Sequence, residues 1–492
     1  MTTLNPAAVK PSTSASRTQG DQLRASPAVR AAIDALVNEV RAHSAKLTAI
    51  RPALSPELKQ SFDQFIEKAG SIRGRAPLYP FIGSGIGNGP FVELMDGSVK
   101  IDLITAIGVN FFGHSEPDLI RAAAEASIGD ICMQGHLQMN QEPTQLSELI
   151  LNEAKKRSHL AHCFLCNSGV MANENALKVC YQKHAPASRV IAFRDCFMGR
   201  TITMSQIGDA AANRQGLPLS TLVDYMPFYD AAAAKRMSAG DASGQARFID
   251  QSIARLREYT ERYPGQHACF IFELIQGEGG FNTAPTEFFR ELATVCKDAK
   301  IAVWDDEVQT FGRTERMFAF DTLGLGDMVD VVCIGKMSQV CAILFTSDYN
   351  PKPGLLSQTF LGSNDALSVG RKVIEKLATG DYYGPSGRIA RHHKIFTDHV
   401  HALAKKHPQW FPANPNVLDF AGGHGGMMRF TPFGGKKDPI MKLCRAMFDE
   451  GVIGFYAGHD PYHIRLLPPL GVLDEKLWPT IFEVIEKAMA KV

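Results

Sequence analysis

Two rhythms of apolar and polar positions alternate along the chain. Apolar residues recur at helical spacing in 117–128, 144–158, 171–184 and 286–299, and in a charged stretch near 246–263. Short, largely apolar runs fall at 163–165, 190–193, 222–226, 269–274, 301–304, 329–334 and 341–346. A run too short for a helix and apolar at nearly every position predicts a strand buried on both faces. Strands of this kind set between helices predict an α/β fold, a large domain built on a central, mostly parallel seven-stranded sheet.

The pattern changes on either side of that domain. Residues 1–30 are rich in Thr, Ser, Ala, Pro and Gln and predict a flexible N-terminal arm. From 31 to about 68 the spacing is helical, interrupted near Pro52 and Pro56; 91–110 reads as two strands joined by a turn at Asp96-Gly97. A connecting helix is expected at 365–379, then helices at 388–407, 438–450 and 474–490, with Gly-rich turns at 422–426 and 434–437. The expected division is therefore the arm 1–30, an N-terminal segment 31–110 that joins a small domain, a large domain 111–370, and a small α+β domain completed by 371–492. The Ala-rich stretch 229–245 carries no chemistry that can be named.

Composition narrows the class. The chain has 492 residues, 45% of them hydrophobic, enough for a full core, and 52 basic against 51 acidic side chains. Neither disorder nor a polybasic nucleic-acid surface fits that balance. No apolar run approaches the ~18 residues a membrane span needs, and the N-terminus has no apolar signal core, so a cytoplasmic protein without membrane contact is expected. Ten scattered cysteines suit a reducing compartment. Cys163 and Cys166, if on a strand, point to opposite faces and share neither metal nor disulfide.

Candidate chemistry sits where strands end. Asn167-Ser168-Gly169 follows one strand and opens a helix, where free backbone amides suit either an anion or an ordinary cap. IAVWDDEVQ at 301–309 is a buried-looking strand ending in three acids, and ligands collect at such ends in open α/β sheets. The next strand ends in Gly335-Lys336, which puts an amine beside those acids. A lysine between an acid cluster and a phosphate-type turn suits covalent aldehyde chemistry, in which the amine forms a Schiff base and a carboxylate holds a ring nitrogen protonated. QGEGG at 276–280 permits close backbone approach to a ligand. GSGIGNG at 83–89 is read as a turn, no dinucleotide or P-loop signature is present, and His114, His136, His159 and His162 lack metal spacing, so no metal site is expected.

In this order the motifs resemble those of the class III (omega-type) pyridoxal-phosphate aminotransferases of fold type I, over roughly 80–490. That group includes the ornithine, acetylornithine, 4-aminobutyrate and lysine 6-aminotransferases, and GKMSQVCA at 335–342 is most similar to the lysine and 4-aminobutyrate branches. Spacing alone does not choose between Asp305 and Asp306; the resemblance assigns the pyridine-nitrogen partner to Asp306, with Val308 and Gln309 near the ring. It assigns the Schiff-base lysine to Lys336, the phosphate turn to Ser168, Gly169 and Val170, and a hydroxyl donated from a partner subunit to Thr359. That last residue implies a homodimer with shared active sites. Phe197, in Phe197-Met198-Gly199-Arg200-Thr201, corresponds to the aromatic that stacks on the cofactor, with Met198 at the usual histidine position. Arg200 corresponds to an arginine for a distal carboxylate, Arg465 to the one that receives the α-carboxylate of glutamate or 2-oxoglutarate, and Glu278 to a glutamate that neutralises it.

The resemblance implies pyridoxal 5'-phosphate as cofactor and transfer of a terminal amino group from an amino acid donor to 2-oxoglutarate, lysine-type donors first. An aminomutase or racemase on the same scaffold and a non-catalytic homologue are the alternatives. Three departures bear on the donor. The segment Thr310–Thr314 is one residue shorter than usual, Leu274 stands where a proline is usual, and Met337-Ser338 replaces a basic and hydroxyl pair.

Overall fold

The computed structural model describes residues 17–77, 79–238 and 243–492. All seven apolar runs become strands of one sheet: β1 (Leu160–Cys166), β2 (Arg189–Phe193), β3 (Leu222–Met226), β4 (His267–Phe272), β5 (Ala302–Glu307), β6 (Val331–Ile334) and β7 (Cys341–Thr346). They lie in the order β1-β7-β6-β5-β4-β2-β3. Only β7 runs against its neighbours, antiparallel to both β6 and β1.

Period-two geometry explains the largely apolar runs. Ala302 and Trp304 of β5, with Val331 and Cys333 of β6, enter one core cluster together with helix Gly169–Lys183. The alternate residues Val303, Val332 and Ile334 enter the other. Cys163 and Cys166 divide between the same two clusters, as strand alternation requires.

Two smaller sheets complete the fold. Phe91–Leu94 and Val99–Asp102 form the expected antiparallel pair, and Val452–Ile453 from the C-terminal region adds in parallel to Val99–Asp102. Ala421–His424, Met427–Phe430, His463–Leu466 and Phe455–Ala457 make an antiparallel sheet in the order 421–430–463–455.

Four local expectations are corrected. The glycine-rich 83–89 segment is not a turn: Gly83–Asn88 is a strand paired with Phe91–Leu94. It is an irregular, largely exposed edge without alternating apolar residues, and Gly87 packs so closely on His114 and the Phe91 carbonyl that no side chain fits. The acids of 305–307 do not follow β5 but belong to it, fully buried. The stretch 103–110 does not extend the second strand. Thr105, Ala106 and Ile107 all have positive φ (48°, 54° and 59°), followed by Gly108 at 87°, so the chain makes one left-handed turn. Asp102 Oδ1 ties it down by accepting from the Ile104 and Thr105 N–H groups at 3.0 and 2.8 Å, and Thr105 Oγ1 donates to the Leu467 carbonyl at 2.7 Å. The fourth concerns the arm, whose residues 1–16 lie outside the described residues. Beyond them Gln19–Arg24 and Pro27–Ser44 are helices, the first closed by a capping box between Thr18 and Asp21 and the second opened by Pro27. In the Ala-rich stretch, Ala231–Arg236 is a helix and 239–242 lie outside the described residues.

Candidate active site

Three strand ends are held together by one valine. β1 ends at Cys166, and Ser168 then caps helix Gly169–Lys183, its Oγ accepting from the Met171 N–H at 3.4 Å. A Cβ on Gly169 would lie 2.8 Å from Cγ1 of Val308, and one on Gly335 would lie 3.1 Å from the same atom. Val308, just past β5, thus presses on the turn after β1 and on the residue before Lys336. The glycines are there because the backbone comes too close for any side chain. Val170 plays a similar part on the other side, filling the space a side chain on Gly199 would need. The cap reading of Ser168 is therefore correct, and the first amides of the helix still end in this junction.

Alternation along β5 separates the three acids. Asp306 shares the face of Ala302 and Trp304, against helix Gly169–Lys183; Asp305 and Glu307 point the other way. Asp306 Oδ2 accepts from Asn173 Nδ2 at 2.7 Å and Oδ1 from the Val308 N–H at 2.9 Å. Burial nevertheless holds its carboxyl above the usual range, opposed by those bonds and by the charge of Lys336. Glu307 caps helix Ala319–Thr322, accepting from the Ala319 and Phe320 N–H groups at 2.8 Å each, and Asp305 has no hydrogen-bond partner. Burial, with the neighbouring charge of Glu307, pushes the Asp305 carboxyl well above its usual range.

Lys336 opens a single helical turn, Lys336–Ser338, directly after β6, and holds a left-handed backbone at φ 52°. A non-glycine residue at positive φ is strained and is kept there by its surroundings. Burial lowers the pKa of its amine, with the Asp306 charge the largest opposing influence.

A second set of contacts orders the loops above the strands. Glu273, at the end of β4, is buried and accepts from the Phe197 N–H at 3.0 Å and the Gly277 N–H at 2.8 Å. One carboxylate thus fastens both the loop carrying Phe197 and the glycine turn carrying Glu278. Arg200 is exposed, with Cζ 5.7 Å from the centre of the Phe197 ring. Arg465 is 0% exposed and its Nη1 meets Glu278 Oε1 at 2.7 Å, while the Glu278 side chain is 38% exposed. Arg465 Nε and Nη2 are buried without partners. Phe455 and Phe281 flank the guanidinium, with ring centres 5.2 and 6.0 Å from Cζ.

Gln309 is buried with its Oε1 unpartnered. Thr359 stands apart from this junction, exposed, on a segment tied to 134–136 by the Leu361 N–H donating to the Gln134 carbonyl at 2.8 Å. The remaining site residues, Ser168, Gly169, Val170, Phe197, Arg200, Glu278, Asp306, Val308, Lys336 and Arg465, gather around the ends of β1, β4, β5 and β6. Sequence reasoning missed two contributors. Asn173 lies one helical turn past Gly169 and so faces the junction. Glu273 is an acid ending an otherwise apolar strand, the same signal that exposed Asp306.

The junction suits an aromatic aldehyde phosphate. Asp306 is a buried carboxylate in contact with no cation, which a protonated ring nitrogen supplies; Lys336 is a buried amine; the orphaned Gln309 Oε1 and the helix start at Gly169 offer partners for ring hydroxyl and phosphate.

Comparison with known proteins gives a consistent picture. The family Aminotransferase class-III matches residues 80–489. The chain is 26% identical over 404 residues to the acetylornithine aminotransferase of Bacillus anthracis, covering 81% of this chain and 92% of that protein. It is also 26% identical over 412 residues to the diaminobutyrate–2-oxoglutarate transaminase of Virgibacillus pantothenticus, with the same coverage of 81% and 92%. Among solved structures, the lysine aminotransferase from M. tuberculosis superposes with a TM-score of 0.71 at 21% identity, covering 87% of this chain and 98% of that one. The ornithine aminotransferase from Toxoplasma gondii gives 0.72 at 19% identity, covering 87% and 95%.

Proposed function

Because the chain belongs to the class-III aminotransferases, pyridoxal-phosphate enzymes of fold type I, we propose that it transfers the terminal amino group of a lysine-type donor to 2-oxoglutarate. Glutamate and a semialdehyde are the products, and 4-aminobutyrate, ornithine and acetylornithine are the donors next in order. The carrying observation is the Arg465–Glu278 pair: a buried guanidinium neutralised by one half-exposed carboxylate, with two of its nitrogens still without partners. Such a pair lets one pocket serve two charge patterns. With Glu278 in place, the pocket is neutral and receives the amine-bearing end of the donor. With Glu278 turned outward, Arg465 binds a carboxylate of 2-oxoglutarate through its planar fork. The relatives named for acetylornithine, diaminobutyrate, ornithine and lysine support a donor of this shape.

Pyridoxal phosphate, when bound, supplies an aldehyde that bonds to amines and a ring that takes up electrons. Ser168, Gly169 and Val170 would hold its phosphate at the helix start, Phe197 its face, and Asp306 the proton on its ring nitrogen. Lys336 moves the proton at the substrate carbon, and burial favours the free amine that this role needs. Arg200, exposed beside Phe197, binds the donor's distal carboxylate. Thr359 is exposed, on a segment with exposed Met133, Leu137 and Phe360, which supports a homodimer in which it completes the partner's phosphate site.

A donor screen with 2-oxoglutarate, reading glutamate and semialdehyde, tests the reading. Lysine as the best donor is expected; a product isomeric with the donor, formed without any 2-oxo acid, replaces it with a mutase or racemase. Arg465→Lys is expected to raise KM for 2-oxoglutarate at least tenfold and to leave donor deamination nearly unchanged. The reverse pattern would exchange the roles of Arg465 and Arg200.

A further inference from the structure

A cavity of about 540 Å3 opens behind the glycine turn, outside the junction that holds Lys336. Its walls are the loop after β2, the hairpin of Ala421–His424 and Met427–Phe430, and the loop 459–463. Arg429 lines it. In the antiparallel sheet Arg429 stands directly opposite Arg465, so the two arginines share a face. Their circumstances differ. Arg465 meets Glu278, whereas among the described residues Arg429 has no carboxylate in contact: its Nη1 lies 3.1 Å from His463 Nδ1 and 3.5 Å from Thr431 Oγ1. Its Nε is buried with no partner. The guanidinium lies over Gly422, where a Cβ would come within 3.0 Å of Cζ.

Three of the four acids that line the cavity are engaged. Asp195 is 2.9 Å from His459 Nε2. Asp419, the acid whose charge Arg429 feels, accepts from His401 at 2.7 Å and from the Ala421 N–H at 3.0 Å. Asp230 caps helix Ala231–Arg236, accepting from the Ala233 N–H at 2.9 Å. Arg194, exposed, adds a second positive charge at the rim. Asp460, exposed at the rim, is the fourth acid of the lining, so the lining as a whole is not cationic and any anion must be held by the Arg429 fork itself.

We propose that this cavity is a second anion site, in which Arg429 takes a phosphate or carboxylate oxyanion separately from the cofactor pocket. A planar fork left without an acid partner in a cavity large enough for a metabolite is what oxyanion recognition requires. Burial lowers the arginine's pKa to about 10, with the charge of Asp419 opposing the shift. The site also touches the catalytic machinery. Gly279 lines it, a Cβ on Gly280 would come within 3.0 Å of His463 Cδ2, and the Gly458 N–H donates to the Glu278 carbonyl at 2.9 Å. An anion on Arg429 thus braces the back of the turn that carries Glu278.

The test is equilibrium dialysis of the cofactor-loaded protein against radiolabelled inorganic phosphate, with malonate as the carboxylate probe. Cofactor loading fills the phosphate cup, so binding there is excluded. One saturable phosphate per chain is expected, weakened at least tenfold by Arg429→Gln and changed less than threefold by Arg465→Gln; malonate, which Arg465 also receives, is read in the Arg465→Gln background, where adding Arg429→Gln should weaken it at least tenfold. The tighter of the two anions identifies the head group. Binding of neither anion, or binding indifferent to Arg429→Gln, overturns the proposal. Should that variant lose the cofactor's visible absorption and prove misfolded, crystals of the wild-type holoenzyme soaked in selenate decide. An anomalous peak at the Arg429 guanidinium supports the site, and peaks only elsewhere remove it.

Discussion

At the scale of single residues, the chemistry rests on side chains pushed away from their ordinary ionisation by burial. Lys336→Ala removes the amine proposed to move the proton, so turnover should fall by ~10³-fold or more, read in the steady-state rate at saturating donor. Near-normal turnover would mean another base does the work. Glu273 makes a different prediction. Burial and the charge of Asp306 push its carboxyl from the ordinary 4.5 up to about 8. Between those values the unfolded chain has released the proton that the folded chain still holds, so folding takes up a proton and stability falls as pH rises. In Glu273→Gln that decline should flatten, by up to a few kcal/mol across the window, in denaturant melts at a series of pH values. Parallel curves for variant and parent would show that the carboxyl ionises normally.

Residue identities were partly legible before the fold was known. An acid run ending an apolar strand and a lysine ending the next one marked the centre. What could not be read was which acid faces the site, because that depends on strand parity relative to a helix distant in sequence. Asp306 proves to share its face with Ala302 and Trp304. Asn173 escaped notice because an asparagine inside a helix carries no signal until the opposing strand is in place.

At the scale of elements, two turns carry the strain. Gly169 has no room for a side chain against Val308, so Gly169→Ala should force the helix start and the end of β5 apart and weaken cofactor binding about tenfold or more, by titration of the visible absorption. Adding Val308→Ala should recover part of that loss, since the obstructing methyl groups are gone. Equal losses in the single and double variants would place the effect elsewhere. The left-handed turn at 105–108 stores strain in three non-glycine residues, beside the aromatic cluster that flanks Arg465. Ala106→Gly should therefore stabilise the protein by ~0.5–1 kcal/mol, the relief of αL strain less the extra entropy of glycine in the unfolded chain. Strand and helix positions were visible as periodicity, because burial on two faces writes itself into composition. The left-handed turn and the edge strand at 83–88 were not, since both depend on distant partners: Leu467 for one, and His114 with Phe91 for the other.

At the scale of the whole molecule, the proposed dimer makes Thr359 act across the interface. Thr359→Ala should lower cofactor affinity roughly tenfold, the loss of one charge-assisted hydrogen bond. A hybrid of a Thr359→Ala subunit with a Lys336→Ala subunit should then regain one site of parental cofactor affinity, because the intact lysine and the intact threonine meet there. Mixed subunits that stay as weak as Thr359→Ala alone would place the hydroxyl in its own chain. No periodicity suggests such an arrangement; the expectation comes only from the resemblance.

The reversed strand β7 sets the order in which this protein can be born. β1 pairs with nothing in the sheet except β7, and β7 is the last of the seven to be synthesised. Until Thr346 has left the ribosome, the turn after β1 proposed to hold the phosphate hangs from an unpaired edge, and the lysine has no hairpin to sit in. A nascent chain stopped short of that point should capture no cofactor, and the exposed edge of β6 would be the surface a chaperone must guard in the meantime.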